Sequence, residues 1–161
     1  MQAVERAEVR FPEESSWKLQ AESRKIGRGI VVYFGVHTSD VSALQRDSDT
    51  AVSWKNKIDL LVEKIRNMRW LKDDVGRLDA TLDAVGGEIM VISNFTLYAK
   101  NKKGNKMSFS DSASASDAEP IYDYFVQGLR DAWWKVQTGK FAAMMEVSAV
   151  TMGPINYVWD V

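Results

Sequence analysis

The 161-residue chain has no cysteine and a single histidine, His37. The lack of cysteine excludes a disulfide scaffold, a thiolate nucleophile and a thiolate-based zinc or iron–sulfur site. One histidine disfavours a zinc centre, and any Ser–His–Asp triad would have to use His37. Charge of one sign is also missing. Lys plus Arg is 21 and Asp plus Glu is 22, for a net −1. A nucleic-acid contact must therefore come from a local patch. Long apolar runs are absent too. The longest, Ile30 to Val36, is interrupted by Gly35 and far shorter than the roughly 20 residues of a membrane span. With no signal-peptide pattern, the expectation is a cytoplasmic protein with no membrane partner.

What is present is an ordinary globular composition, 45% hydrophobic and 27% charged. The length suits one domain over 1–161. Six Trp, five Tyr and six Phe are much aromatic surface for one core, and a subunit interface would hide some of it.

Ala7, Val9 and Phe11 alternate with charged residues, as in a half-buried strand. Trp17, Leu19 and Ala21 repeat the pattern after a polar turn, which suggests a hairpin partner. Ile30 to Phe34 reads as a central strand buried on both faces, and Thr38 to Thr50 as a surface loop. Trp54, Ile58, Leu61, Ile65 and Met68 mark one face of a helix. Asp73 to Gly76 and Gly86-Gly87 are turn signals. A strand from Glu88 leads into Ser93-Asn94-Phe95-Thr96-Leu97-Tyr98. Lys100, Lys102, Lys103 and Lys106 form the one basic cluster.

Ser116-Asp117-Ala118-Glu119 has capping-box spacing, with Pro120 in the first turn of a helix that reaches about Lys135. Phe141 to Val150 and Ile155 to Val158 read as two strands joined by a turn at Thr151 to Pro154. The order implies an α+β fold, with two amphipathic helices on a mainly antiparallel sheet or barrel.

GGEIMVISNFTLY, SFSDSASASDAEPIYDYF and FAAMMEVSAVTMGPINYVWD resemble the D-aminoacyl-tRNA deacylase (D-tyrosyl-tRNA deacylase) family, almost collinearly over the chain. Two motifs depart from the family's pattern. Its S-Q-x-x-T stands here as Ser93-Asn94-Phe95-Thr96. Its N-x-G-P-x-T stands as Thr151-Met152-Gly153-Pro154-Ile155-Asn156. Ala3 occupies the place where the family carries an Arg that braces the Gly-Pro.

The resemblance implies an aminoacyl-tRNA editing hydrolase. It would cleave the ester joining a D-amino acid, or glycine, to the 3′-terminal adenosine of tRNA, with no cofactor and no metal. Ser93, Phe95 and Thr96 would be catalytic, with backbone N–H groups around Phe95-Thr96 holding the oxyanion. Asn94, Gly153 and Pro154 would select chirality, the Gly-Pro dipeptide entering the partner subunit's pocket in a homodimer. Phe141 and Met145 would pack the adenine. The four lysines would meet tRNA phosphates. A cis Gly153–Pro154 bond is implied by the strict members. Thr151 and the missing Arg match a looser sister group in which that bond is trans.

Without the resemblance, blander readings stand beside each role. Gly153-Pro154 is then a hairpin turn, Ser93 and Thr96 are backbone caps, Phe141 and Met145 are core, and the lysines are a solvated loop. The alternative function is a catalytically silent RNA- or DNA-binding relative that keeps the dimeric fold.

Overall fold

The structure is a computed structural model describing residues 1–12, 22–42, 54–101, 104–133 and 135–161. The hairpin expected at Trp17 to Ala21 and the lysines Lys102 and Lys103 lie outside the described residues.

Among the described residues, eight strands and three α-helices form the frame. They are β1 (Gln2–Arg10), β2 (Ser23–Ile26), β3 (Gly29–Phe34), α1 (Thr38–Ser42), α2 (Trp54–Asn67), β4 (Leu71–Lys72), β5 (Leu78–Ala80), β6 (Glu88–Ser93), α3 (Ala115–Ala132), β7 (Val136–Thr138) and β8 (Glu146–Asn156). β1 pairs antiparallel with β8 along one edge. On its other edge β1 pairs with β2 and β3, which keep one register on either side of Gly27-Arg28. β3, β6 and β7 then pair in parallel. Parallel neighbours need crossover connections, and α2 and α3 lie in those crossovers. Arg24 on β2 donates to both the carbonyl and the hydroxyl oxygen of Thr138 on β7 at 2.9 Å. That bond draws the two ends of the sheet together, so the sheet is nearly closed. The α+β class holds, with a mixed sheet.

Strands apolar at every position have two faces to bury. Ile30, Val32, Ile89 and Val91 face the helix layer, where they meet Ile58, Leu61, Ile65, Ile121, Phe125 and Leu129. Val31, Met90 and Ile92 face the inside of the curled sheet, against Val4, Val9 and Ile26. Gly29 is obligatory at the β3–β6 seam, since a Cβ there would sit 1.9 Å from the Glu88 carbonyl oxygen.

Several boundaries differ from the sequence reading. The strand expected from Phe141 begins only at Glu146. Thr38 to Ser42 is a short helix, not loop. α3 starts two residues earlier, because Ser114 rather than Ser116 caps it: the Ser114 hydroxyl accepts from the Asp117 N–H. α3 ends at Ala132, short of Lys135, and β7 follows in a stretch to which the sequence reading gave no element. Thr151 to Pro154 is not a turn between two strands but part of one strand, β8. β1 pairs with β8 on both sides of the Gly-Pro, at Thr151 and at Asn156, so the chain stays in one strand where the local turn preference would end it.

Candidate active site

Parallel pairing with β3 carries β6 as far as Ser93, where Phe34 is its partner. The Asn94 N–H donates to the Phe34 carbonyl at 2.8 Å, which aligns the exit of the strand. Asn94 is extended, and a one-turn 3₁₀ helix, Phe95–Tyr98, follows. The Asn94 Oδ1 accepts the Thr96 N–H at 3.0 Å and the Thr96 hydroxyl at 2.6 Å. A short polar side chain at this place closes on its own backbone, as Asn does at caps generally.

This turn forms one wall of a cleft of about 720 Å³. Ser93, Asn94, Phe95, Thr96, Phe141 and Met145 all line it. Six predicted site residues from two distant segments therefore share one cavity.

Phe141 is seated by the Tyr122 ring, whose centroid lies 5.4 Å away. Tyr122 is buried, donates to the Val91 carbonyl at 3.1 Å, and has its phenol pushed up to about 12 by burial. It serves as a fixed neutral wall. Ala142, next to Phe141, has φ 55°. A non-glycine residue in the left-handed region stores strain of about 1–3 kcal/mol, of the kind found near functional sites. Met145 packs over Gly139, where a Cβ would come within 2.6 Å of the Met145 Sδ. Sequence reasoning gave no role to Tyr122, Gly139 or Ala142. Only the aromatic at 122, in the expected helix, was a signal.

The chemistry open to this wall is that of hydrogen-bond donors. The Thr96 hydroxyl is bound to Asn94, and the Thr96 N–H is occupied by the same oxygen. The Phe95 N–H makes no hydrogen bond among the described residues. His37 lies outside the cleft, and its Nδ1 accepts from the Ser39 N–H at 3.0 Å. Its Nε2 stands 3.9 Å from Asp111. Among the described residues no cluster of His, Asp and Glu could hold a metal ion.

Of the remaining predicted residues, Lys100, Lys106 and Gly153 do not line the cleft. Lys100 pairs with Asp111, and Lys106 is exposed. Gly153 does not line this cavity, and the Pro154 side chain lies outside the described residues. From Thr151 to Asn156, β8 takes five steps while its partner takes two, from Val4 to Gln2. The excess chain arches out of the sheet. Gly153 is exposed on it, and a Cβ there would meet nothing within 4 Å. A second hollow of about 520 Å³, lined in part by Leu97 and Tyr98, contains none of the predicted site residues among the described ones. No described helix is long and apolar enough to cross a membrane.

The sequence matches the D-Tyr-tRNA(Tyr) deacylase family over residues 1–160. It is 38% identical over 135 residues to a D-aminoacyl-tRNA deacylase of Roseiflexus sp. (strain RS-1), covering 84% of this chain and 79% of that one. A D-aminoacyl-tRNA deacylase of Dichelobacter nodosus is 32% identical over 160 residues, with 98% and 94% covered. Among solved structures, one described as c-Myc DNA Unwinding Element Binding Protein superposes with TM-score 0.73 at 29% identity, covering 96% of this chain and 91% of that one. A probable eukaryotic D-amino acid tRNA deacylase shares the fold, with TM-score 0.72 at 16% identity and 95% and 92% covered. With the family matched over nearly its whole length and curated relatives above 30% identity, the chain belongs to the D-aminoacyl-tRNA deacylase family of hydrolases.

Proposed function

We propose that this protein edits aminoacyl-tRNA, hydrolysing the ester between a D-amino acid, or glycine, and the 3′-terminal adenosine. The observation that carries this reading is the shared cleft. Donors around Phe95 and the Phe141–Met145 platform line one cavity large enough for an aminoacyl-adenosine end. Phe141 and Met145 stack the adenine. The Phe95 N–H meets the developing oxyanion, the neighbouring ribose 2′-hydroxyl assists water, and Ser93 and Thr96 shape the wall without forming an acyl-enzyme. Lys100, Lys102, Lys103 and Lys106 contact backbone phosphate, which gives affinity without sequence readout.

Chiral selection belongs to the arch. Gly153 and Pro154, with the bond between them cis, reach into the cleft of a second subunit. Their carbonyls take the substrate amino group while the backbone blocks an L side chain. The functional unit is then a homodimer with two symmetric composite sites, formed from a single domain of 1–161 acting in the cytoplasm. The support is that Gly153 does not line the cleft of its own chain and has open space around it.

One observation favours a second reading, a silent nucleic-acid-binding relative: Asn94 occupies the Thr96 N–H. The test is hydrolysis of D-Tyr-tRNA, with L-Tyr-tRNA, Gly-tRNA and L-Ala-tRNA alongside. The editing reading expects rapid loss of the D-ester and sparing of both L-esters. Loss of the D-ester at the spontaneous rate would sink it. Rapid loss of L-Ala-tRNA would overturn the cis arrangement.

A further inference from the structure

The SFSDSAS run was singled out in the sequence, yet no role above uses it. Its place in the fold is beside the wall of the cleft. The Ser112 hydroxyl donates to the Phe95 carbonyl at 2.6 Å. That carbonyl belongs to the same peptide as the Thr96 N–H, which donates to the Asn94 Oδ1 at 3.0 Å. One peptide plane is therefore held at both ends, by side chains from two different segments. The segment carrying Ser112 is itself tied down. Its backbone bridges to His37, the Ala113 N–H donates to the Val36 carbonyl at 2.9 Å, and Phe109 packs edge-on against the Phe95 ring at 5.1 Å.

We infer that Ser112 is a positioning residue of the hydrolytic site, acting through the Phe95–Thr96 peptide. The inference rests on the editing reading above and deepens it. The argument is geometric. The Asn94 side chain and the Thr96 N–H close a ring that contains the Phe95 N–H. Rotation of the next peptide would break the bond that closes this ring and release both the Asn94 side chain and the Phe95 N–H from their settings. Ser112 blocks the rotation by holding the carbonyl. A backbone N–H can only donate, so the Asn94 atom facing Thr96 is its oxygen, and the Asn94 amide nitrogen is left on the other side. Ser112 thus fixes two donors together, the Phe95 N–H and the Asn94 Nδ2. A bond accepted at the carbonyl also polarises its peptide, which strengthens the bond that the peptide donates. Preorganised donors of this kind stabilise an oxyanion without reorganising during the reaction.

The test compares Ser112→Ala and Ser112→Thr with the parent chain in two measurements. The first is steady-state hydrolysis of D-Tyr-tRNA. The second is amide hydrogen exchange at Thr96 by NMR, which needs no substrate. Ser112→Ala is expected to lower kcat about tenfold with KM within about twofold, the signature of a misplaced donor. It should also speed exchange at Thr96 about tenfold. Ser112→Thr keeps the hydroxyl and should restore both. An unchanged kcat in Ser112→Ala, or an effect on KM alone, would overturn the role. If the parent chain cleaved no ester at all, the editing reading would fall, and exchange at Thr96 would still decide whether the clamp exists.

Discussion

The two motif regions of the chain are held in opposite ways. The turn from Ser93 to Tyr98 is tied from several directions, by Phe34, by the Asn94 side chain and by Ser112. The arch from Thr151 to Asn156 projects from an edge strand, and nothing lies within 4 Å of a Cβ built at Gly153. One region is braced within the chain, and the other has open space around Gly153. Fixed donors suit chemistry, where small displacements are costly. A projecting backbone suits inspection of a substrate held elsewhere.

The largest expected effect comes from breaking the turn at its proposed donor. Phe95→Pro removes one N–H. The Phe95 side chain is 58% exposed and Asn94 is already extended, as a residue before proline must be. Proline is tolerated at a first helical position. The expected outcome is a fall in kcat of about 10²–10³ with the fold intact, checked by single-turnover kinetics and circular dichroism. A smaller loss follows from Phe141→Ala. Losing one stacking platform, worth about 1–3 kcal/mol, should weaken binding of an aminoacyl-adenosine analogue by about five- to 150-fold in calorimetry.

Gly153→Ala sharpens the contrast from the other side. With open space around it, the change should leave the melting free energy within about 0.5 kcal/mol. The ratio of D-Tyr-tRNA to L-Tyr-tRNA hydrolysis should nevertheless fall, by about tenfold for a loss near 1.4 kcal/mol. A stability loss with the ratio intact would place the arch among ordinary structural loops. The smallest effect is at the rim. Lys106→Ala should lower tRNA affinity a few-fold and reduce the salt slope by about 1, with the chiral ratio unchanged.

Periodicity revealed most of the frame. Ile58, Leu61 and Ile65 are the buried stripe of α2, and the Ile30–Phe34 run is apolar because β3 has a core on each face. Misreadings arose where two local signals competed. Ser114 and Ser116 both have an acidic residue three positions on, and only the capping contact separates them. Gly153-Pro154 carries a turn signature, but β1 pairs with β8 on both sides of it, so the strand continues and absorbs the excess as an arch. β7 is three residues long, too short to show a period, and it is defined by its pairing with β6.

The site was legible by resemblance far more than by pattern. Ser93, Thr96, Phe141 and Met145 have no shared periodicity, and tertiary folding alone brings 93–96 to 141–145. Ser112 was hidden among similar small polar residues, since its distinction is a single contact made across 17 positions.

The central claim is that a cleft in one subunit works with the arch of the other. Mixed dimers test it directly. One subunit carries Phe95→Pro, and its partner carries Gly153→Ala with Pro154→Ala. If the arch acts across subunits, the second subunit's intact cleft receives the first subunit's intact arch. One native site is then rebuilt, and D-Tyr-tRNA is hydrolysed with the parent's discrimination at about half its rate per dimer. If each arch served its own cleft, the one intact cleft would work beside a damaged arch, and D-Tyr-tRNA would be hydrolysed without the parent's discrimination.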